Sequence, residues 1–387
     1  MKSRAVEIFS EVYDRQPQLT VLSPGRINLI GEHIDYYGGL VMPAAIDKYV
    51  GISLGASNGY QSSVYSFNYN EKYLLDTNEP EQQPSQSWIK YLTKALSILL
   101  ESGFKSKPFD IIISSNLSTG AGLSSSAALV TGFVEILSEY NDWNIAYDKI
   151  ALIAQTTEHR LGTPCGLMDQ YASLFGKKDS FILLDCSDLK FKEVKVNLNN
   201  YILRLFNTKV HHALTDGGYA KRRKQGEAAL DELKSFYSKP GSFRDFSVDE
   251  LEHMPAFDDI QSRRARHAIT EIKRVKEFEN AVNQNDFERA GNLMYLSHQS
   301  LKFDYQVSCD EADYIVNVAK LEGVAGARIM GGGFGGCVLC LLEKKYEQTF
   351  KERLVVAYKK KFGFEPEPID FSLGQRQVYH TSNSTSL

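Results

Sequence analysis

Residues 119–129 read TGAGLSSSAAL, and the apolar stretch that follows them has the spacing of a buried helix. The pattern predicts a long helix that begins near Ser125, with the glycines in the turn before it. Backbone N–H groups and the positive end of the helix dipole would make this turn a cradle for an anion, and serine hydroxyls there can ligate Mg²⁺. The same residues also suit a plain helix cap with close packing. Because no Gly-Lys-Ser/Thr follows the glycines, phosphate binding here predicts a nucleotide site outside the common α/β folds.

A second glycine-rich stretch, MGGGFGG at residues 330–336, lies between two apolar runs with strand character. Glycine allows a backbone to approach a ligand closely, although an ordinary bulged hairpin would use the same residues. Cys337 and Cys340 follow directly and are interpreted as buried strand residues, since no second cysteine pair completes a zinc or redox site. The stretch therefore indicates either a ligand loop or a bulged hairpin.

Polar side chains are crowded into residues 25–39, GRINLIGEHIDYYGG, directly after an apolar run. An exposed turn could have this composition, and so could a site that pairs the hydroxyls of a polar ligand. In EHRLGTPCGLMDQ, Glu158 and Asp169 are separated by a helix end and a Gly-Pro turn. Two such carboxylates could divide the work, one holding a metal and the other facing an incoming hydroxyl, or they could be solvated or capping residues.

Composition limits the class of protein. The 387 residues are 43% hydrophobic and 24% charged, which is typical of a folded protein of about two domains. The formal net charge of −4 provides no positive field for nucleic acid or for an anionic membrane surface, so neither is expected as a partner. Five cysteines, a sparse and odd number, favour a reducing compartment and hence the cytoplasm.

The order of elements mixes strands with helices without a strict βαβ alternation. This order predicts an α+β fold of two lobes, in which mixed sheets pack with helices and the active site lies in the cleft between the lobes. A soft boundary falls after the hairpin-like segment SFILLDCSDLKFKEVKVNL, which divides the chain into residues 1–196 and 197–387.

Together, GRINLIGEHIDYYGG, GAGLSSSAAL and GARIMGGGFGGC resemble, in order and spacing, the three signature motifs of the GHMP small-molecule kinases. The first of them resembles the signature of the galactokinases, one branch of that family. The resemblance continues through GTPCGLMDQY, ALTDGGYAKRR and SHQSLKFDYQVS and so covers nearly the whole chain. It implies a two-lobed GHMP kinase fold with an N-terminal and a C-terminal kinase domain. It also implies transfer of the γ-phosphoryl group of MgATP to the C1 hydroxyl of galactose, by a monomer whose partners are the sugar and ATP.

The same resemblance implies roles for individual residues. Arg26 and Asp169 would flank the reacting hydroxyl, with Asp169 either accepting its proton or only orienting it. The other hydroxyls of the sugar would be held by Glu32, His33, Asp35, Gly166 and Tyr219. The phosphates would be bound by Gly120, Gly122, Ser124, Ser125 and Ser126, the adenine base by Trp88 and Tyr91, and Mg²⁺ by Ser126 and Glu158.

Two alternatives stay open on the sequence alone. The first is a kinase for N-acetylgalactosamine or another sugar. Ile34 stands where many galactokinases have threonine, and isoleucine at this position also occurs in relatives that phosphorylate those sugars. A regulator that binds sugar and ATP without catalysis is the second alternative, although it would have no need of Arg26, Asp169 and Ser126 together.

Overall fold

The computed structural model describes residues 1–80, 88–118, 120–211, 217–254 and 258–381. In the first half of the chain, the helices are α1 (Lys2–Tyr13), α2 (Ile89–Glu101), α3 (Ser125–Tyr140), α4 (Tyr147–Arg160) and α5 (Met168–Phe175). The strands of this half are β1 (Leu19–Asn28), β2 (Leu40–Val41), β3 (Pro43–Ala56), β4 (Ser62–Ser66), β5 (Glu71–Leu75), β6 (Phe109–Ser115), β7 (Ser180–Asp185) and β8 (Phe191–Lys195). A single 3-10 turn, Asp35–Tyr37, separates β1 from β2.

The second half is richer in helix. Its helices are α6 (Gly218–Tyr237), α7 (Val248–Glu252), α8 (Asp259–Asn283), α9 (Phe287–Phe303), α10 (Asp310–Leu321) and α11 (Glu347–Phe362). Its strands are β9 (Tyr201–His211), β10 (Gly326–Ile329), β11 (Gly335–Glu343), β12 (Glu367–Ile369) and β13 (Gln377–His380). Within the described ranges, no helix combines the length and the apolar character needed to cross a bilayer.

Three sheets organise these elements. The largest has the strand order β13-β1-β3-β6-β4-β5, and the others have the orders β10-β11-β9-β12 and β2-β7-β8. Every pairing is antiparallel except that of β4 with β6, so the sheets are mixed or antiparallel. The predicted α+β fold with mixed sheets and packed helices is confirmed.

The largest sheet is covered on both faces, which explains its apolar strands. All ten residues of β1 are buried, and α3 and α5 pack against this strand. In β6, Ile112 packs with Ala5, Ile8 and Phe9 of α1, whereas its neighbours Ile111 and Ile113 belong to the main core. This alternation follows from the two-residue period of a strand, which points successive side chains to opposite faces.

The chain returns to its first sheet at the end. Strand β13 pairs with β1, in a register that sets Leu19 opposite His380, although it follows the predicted boundary by some 180 residues. The boundary at 196/197 falls between β8 and β9, where the chain passes from the first half to the four-stranded sheet. The division into two domains at that point remains a prediction, with β13 as a segment of the second half that belongs to the first sheet.

Candidate active site

A cavity of about 450 Å³ lies between the two halves, and all three motif stretches reach it. Thirteen of the residues proposed from sequence line it: Arg26, Glu32, His33, Asp35, Gly120, Gly122, Ser124, Ser125, Ser126, Glu158, Gly166, Asp169 and Tyr219. The second glycine-rich stretch lines it as well, from Met330 to Gly336. The fold therefore brings together residues from positions 26 to 336.

Arg26 and Asp169, which both line this cavity, form an ion pair with two hydrogen bonds. Nε of Arg26 donates to Oδ1 of Asp169 at 2.7 Å, and Nη2 donates to Oδ2 at 2.9 Å. The remaining Nη1 donates to the carbonyl of Gly122 at 2.5 Å. The arginine is buried in β1, where a carboxylate partner with matching fork geometry offsets the cost of removing its charge from water.

Just before Arg26, strand β1 lies very close to the glycine-rich turn that precedes α3. A side chain at Gly25 would place its Cβ 2.8 Å from the carbonyl oxygen of Leu123 and 2.4 Å from a methyl group of Leu117. The strand register also shifts between Pro24 and Arg26. Only glycine fits here, and the irregularity directs the arginine into the cavity.

Ser124 completes the surroundings of Asp169. Its hydroxyl donates to Oδ2 of Asp169 at 2.5 Å, and its backbone lies in the left-handed region with φ of 58°. The predicted helix starts at Ser125, as α3, but Ser124 does not cap it with its side chain. The serine hydroxyl instead holds the carboxylate, and the N-terminal turn of α3 opens onto the cavity. A turn of this kind is suited to bind phosphate oxygens.

The two glycine-rich stretches lie against each other. A Cβ on Gly331 would lie 3.4 Å from the carbonyl oxygen of Gly122, and one on Gly333 would lie 2.4 Å from that of Val307. Both glycines have positive φ, 83° and 81°. The ladder between β11 and β9 also shifts register between Gly335 and Cys337. The stretch is thus a bulged hairpin, one of the two interpretations left open by the sequence, and it lines the cavity; its use as a ligand loop stays a prediction.

Cys337 and Cys340 are buried in β11, as predicted, and all five cysteines are unpaired.

Asp35 and Gly166 lie in direct contact in the wall of the cavity. A Cβ at position 166 would lie 2.0 Å from Oδ2 of Asp35, so only glycine leaves room for this carboxylate. Burial, together with the charges of Asp169 and Glu32, raises the pKa of Asp35 to about 7. A buried carboxylate with this pKa gains from hydrogen-bond donors on a ligand.

Glu32 is held by a residue that the sequence analysis did not identify. Arg328, which is fully buried in β10, donates through Nη2 to Oε2 of Glu32 and through Nη1 to the carbonyl of Asn28 at 2.9 Å. The side-chain amide of Asn28 also donates to Oε2 of Glu32, at 3.2 Å. The only sequence signal was a charged residue inside the apolar run GARIM, directly before the second glycine-rich stretch.

His33 lies among aromatic rings. Its centroid is 5.4 Å from that of Tyr219 and 4.9 Å from that of Tyr305. Burial, together with the nearby charges of His267 and Arg328, lowers the pKa of His33 to about 3. Its Nε2 is buried and makes no hydrogen bond to any residue that the structure describes.

Glu158 lies near the C-terminal end of α4, and Ser126 is close enough to its carboxylate to lower its pKa. Burial and the charge of Asp169 raise its pKa to about 7. Its Oε1 is buried without a hydrogen bond to a described residue. A buried carboxylate oxygen beside a serine hydroxyl fits a Mg²⁺ ion that takes its other ligands from phosphates and water. The described part of the chain holds no group of three acidic, histidine or cysteine side chains for a metal.

Trp88 and Tyr91 do not line the cavity. The Trp88 ring stacks on Tyr69, with centroids 6.3 Å apart, and its Nε1 donates to Oε2 of Glu71 at 2.9 Å. Tyr91 is near Glu158, since burial and the charge of that carboxylate raise the pKa of its phenol. The assignment of both residues to the adenine base remains a prediction. Residues 212–216 of the motif ALTDGGYAKRR, and Thr119, lie outside the described residues.

Comparison with known proteins agrees with this geometry. The family descriptions "Galactokinase galactose-binding signature", "GHMP kinases N terminal domain" and "GHMP kinases C terminal" match residues 7–55, 90–177 and 275–359. A solved mevalonate kinase covers 92% of this chain and 99% of its own, with a TM-score of 0.65 at 19% identity. The fold is that of the GHMP kinases.

More similar proteins narrow this class. Galactokinase from Thermotoga petrophila is 38% identical over 349 residues, which cover 90% of this chain and 96% of the relative. Galactokinase from Clostridium perfringens is 36% identical over 373 residues, covering 95% and 96%. The crystal structure of Lactococcus lactis galactokinase complexed with galactose has a TM-score of 0.92 at 30% identity and covers 98% of this chain and 99% of its own. The chain belongs to the galactokinase family of GHMP kinases.

Proposed function

We propose that the protein transfers the γ-phosphoryl group of MgATP to the C1 hydroxyl of α-D-galactose, giving galactose 1-phosphate and ADP. The observation that carries this proposal is the position of Asp169. Its carboxylate is fixed by Arg26 and Ser124 where the galactokinase signature segment meets the helix α3 turn. A sugar hydroxyl held by the signature segment and a terminal phosphate bound at the α3 turn would meet near this carboxylate.

In the reaction, the C1 oxygen forms a bond to the γ-phosphorus while the bond from that phosphorus to the β,γ-bridging oxygen breaks, and ADP leaves with the electron pair. Such transfers pass through a loose transition state, so positioning and charge neutralisation supply most of the rate enhancement. Asp169 would orient the hydroxyl or accept its proton. Arg26 would neutralise charge that spreads over the phosphoryl oxygens. Its guanidinium lies between Asp169, where the hydroxyl would react, and the carbonyl of Gly122 in the turn that would bind the phosphates.

The ATP phosphates would be bound by the turn of Gly120 and Gly122 and by the first residues of α3. Ser126 and Glu158 would hold Mg²⁺, which supplies positive charge to the phosphate oxygens when bound. The raised pKa of Glu158 supports this role, since an uncompensated buried carboxylate gains from a cation.

The sugar would be held by Glu32, His33, Asp35, Gly166 and Tyr219, all of which line the same cavity. A site that pairs each hydroxyl rejects an epimer, because the wrong hydroxyl leaves a buried partner unsatisfied. Ile34 is not one of these contacts. It is fully buried in the core, and its side chain is so close to Gly39 that a Cβ there would lie 2.9 Å from it.

The test is ATP consumption by the purified protein with galactose, N-acetylgalactosamine, glucose and arabinose. We expect turnover with galactose and a product whose phosphorus couples to the C1 proton in NMR. Absence of turnover with galactose above background, or faster turnover with another sugar of the set, would overturn the assignment of the substrate. We further propose that the protein acts as a monomer in the cytoplasm; the five unpaired cysteines support a reducing compartment, and light scattering tests the monomer.

A further inference from the structure

A chain of hydrogen-bonded phenols leads from His33 to the backbone of α6. Nδ1 of His33 is 2.8 Å from the hydroxyl oxygen of Tyr36. That oxygen is 2.9 Å from the hydroxyl of Tyr305, which is 2.9 Å from the hydroxyl of Tyr37. The Tyr37 hydroxyl donates to the carbonyl of Arg223 at 2.9 Å. The chain crosses from the signature segment to two other parts of the second half.

The carbonyl at the far end gives the chain a direction. A carbonyl oxygen only accepts, so the single hydroxyl hydrogen of Tyr37 is used there. The contact between Tyr305 and Tyr37 therefore needs the hydrogen of Tyr305. By the same reasoning, Tyr36 donates to Tyr305. The only hydrogen left for the contact between Tyr36 and His33 is one on Nδ1 of the histidine.

We propose that this phenol chain holds His33 in the Nδ1–H form, so that its Nε2 faces the bound sugar as a hydrogen-bond acceptor. Tyr36, Tyr37 and Tyr305 are then positioning residues for sugar recognition. Besides the phenol chain, the state of Nε2 supports this proposal. This atom is buried at the cavity and makes no hydrogen bond to a described residue. The proposal rests on the proposed function for the identity of the ligand, but the tautomer itself does not depend on it.

A neutral imidazole carries one hydrogen, so a hydrogen on Nδ1 leaves a lone pair on Nε2. His33 is neutral at physiological pH, because burial lowers its pKa to about 3. An acceptor at Nε2 matches the carboxylate of Glu32 in the same cavity, which accepts hydrogen bonds from Arg328 and Asn28. The site thus requires donors from its ligand, which the hydroxyls of a sugar supply and which fluorine or a methoxy group does not.

The opposite tautomer has one argument in its favour. The carbonyl of Gly332 lies close to the ring and would suit a protonated nitrogen. That tautomer leaves only three phenol hydrogens for the four contacts of the chain, however, so at least one pair of acceptors, such as the oxygens of Tyr37 and Arg223 2.9 Å apart, would have no hydrogen between them. Two oxygens that both present lone pairs at this distance repel each other, so the Nδ1–H form is favoured.

The experiment measures the tautomer directly in the sugar-free protein. The protein is labelled with ¹⁵N-histidine, and the His33 signals in a long-range ¹H–¹⁵N spectrum are assigned by their loss in His33→Gln. We expect Nδ1 to resonate as a protonated nitrogen and Nε2 as an unprotonated one. In Tyr305→Phe, the hydroxyl of Tyr36 can turn to donate to Nδ1, so the Nε2–H form should become populated. The KM for galactose should rise about tenfold while the KM for ATP stays constant.

Tyr295→Phe is the matched control, because its buried hydroxyl also donates to a backbone carbonyl, that of Val324 at 2.8 Å, away from the cavity. It should change neither the His33 signals nor the KM for galactose. Should Tyr305→Phe fail to fold, Tyr37→Phe removes the carbonyl-anchored donor and should populate the Nε2–H form equally. A wild-type protein with Nε2–H, or folded phenylalanine variants with unchanged His33 signals, would overturn the proposal. A fixed tautomer in a protein that ignores galactose would refute only the proposed substrate.

Discussion

The carboxylate of Glu271 accepts a hydrogen bond from the backbone amide of Gly31, 2.9 Å away. This bond connects α8 to the segment that carries the sugar-binding candidates. The same carboxylate also accepts from the hydroxyl of Ser297 at 2.6 Å and from Nε of Arg274 at 2.6 Å. One turn earlier on the helix, Nε2 of His267 is 3.0 Å from the carbonyl oxygen of Glu32. Two side chains of α8 thus hold this segment, one through the backbone N–H of Gly31 and the other through the backbone carbonyl of Glu32.

Glu271→Ala should therefore weaken both the fold and sugar binding. Removing one member of a buried ionic network leaves its partners unpaired, which typically costs about 3–5 kcal/mol in the free energy of unfolding. Urea unfolding measures that loss, and steady-state kinetics should show a higher KM for galactose at an unchanged KM for ATP. Glu277→Ala, at a partly exposed position of the same helix, should stay within about 0.5 kcal/mol of wild type. Equal effects of the two changes would contradict this role for Glu271.

The paired variants Asp169→Ala and Asp169→Asn separate the two roles left open for this carboxylate. If Asp169 accepts the hydroxyl proton, both should lower kcat by about 10²- to 10⁴-fold, because an amide cannot take a proton. If it only orients the hydroxyl, asparagine should retain much of the activity. Asp110→Ala removes another aspartate paired with an arginine, Arg15, far from the cavity, and should leave kcat unchanged. Full activity of Asp169→Ala would refute the proposed mechanism.

Binding of Mg²⁺ should depend on pH through Glu158. Its pKa of about 7 in the metal-free protein means that the metal must displace a proton below pH 7. The affinity for Mg²⁺ in the presence of ADP should then rise by up to about tenfold per pH unit below pH 7 and level off above it. Calorimetry between pH 5.5 and 8 measures this dependence. The control is Glu158→Gln, measured in the same way. Protonation of ADP contributes equally to both proteins, so the difference between their pH profiles reports the carboxylate of Glu158. Identical profiles would argue against a metal-binding Glu158.

Asp35 should make the ligand-free protein less stable as pH rises. Its folded pKa of about 7 lies above the usual value of 3.8, so between these limits the folded state holds a proton that the unfolded state has released. The stability contribution is complete below about pH 4, falls by at most about 1.4 kcal/mol per pH unit as pH rises toward 7, and is flat above that. Unfolding in urea at pH 5, 6, 7 and 8 should show this loss in wild type relative to Asp35→Asn. A difference that does not change with pH would exclude the raised pKa.

Arg376 should be essential for stability although it lies near the end of the chain. It donates through Nε to Glu135 on α3, and through Nη1 to the hydroxyl of Ser23 at 2.8 Å on β1. Both charged side chains are buried, at 4% and 2% exposure. Arg376→Met leaves the buried charge of Glu135 without its cation, although the Tyr147 hydroxyl still donates to it, and should cost about 3–5 kcal/mol. Arg353→Met breaks an exposed pair with Glu322 and should cost less than about 1 kcal/mol, as measured by urea unfolding. Similar costs would show that the buried network contributes little.

The sequence analysis found the elements whose signals are local. The helix at Ser125 follows from its apolar period and the small residues before it, and the hairpin of β7 and β8 follows from strand-like runs. Thirteen of the fifteen proposed site residues line one cavity. The sequence could predict them because the family motifs that contain them are short and occur in a fixed order. Trp88 and Tyr91, taken from a short helical match, do not reach it.

The residues that the sequence analysis left without a role act over long separations. Arg328 contacts Glu32 across 296 positions, Tyr305 contacts Tyr36 across 269, and Arg376 contacts Ser23 across 353. A single arginine or tyrosine, whether it lies in a strand as Arg328 does or outside helices and strands as Tyr305 and Arg376 do, has no local pattern that distinguishes a buried partner from a solvated surface residue. Such pairings exist only once the two halves have packed and water has been excluded.

By itself, the sequence determined the α+β class, the glycine turns, the chemical types gathered for a sugar and a phosphate, and the family. Those properties depend on backbone conformation, residue type and spacing, which are local. Only the tertiary structure decided that Asp169 is held by both Arg26 and Ser124, that β13 returns to β1, and that the pKa of Asp35 is raised while that of His33 is lowered. These depend on which groups share a buried, poorly solvated space, and packing alone sets that.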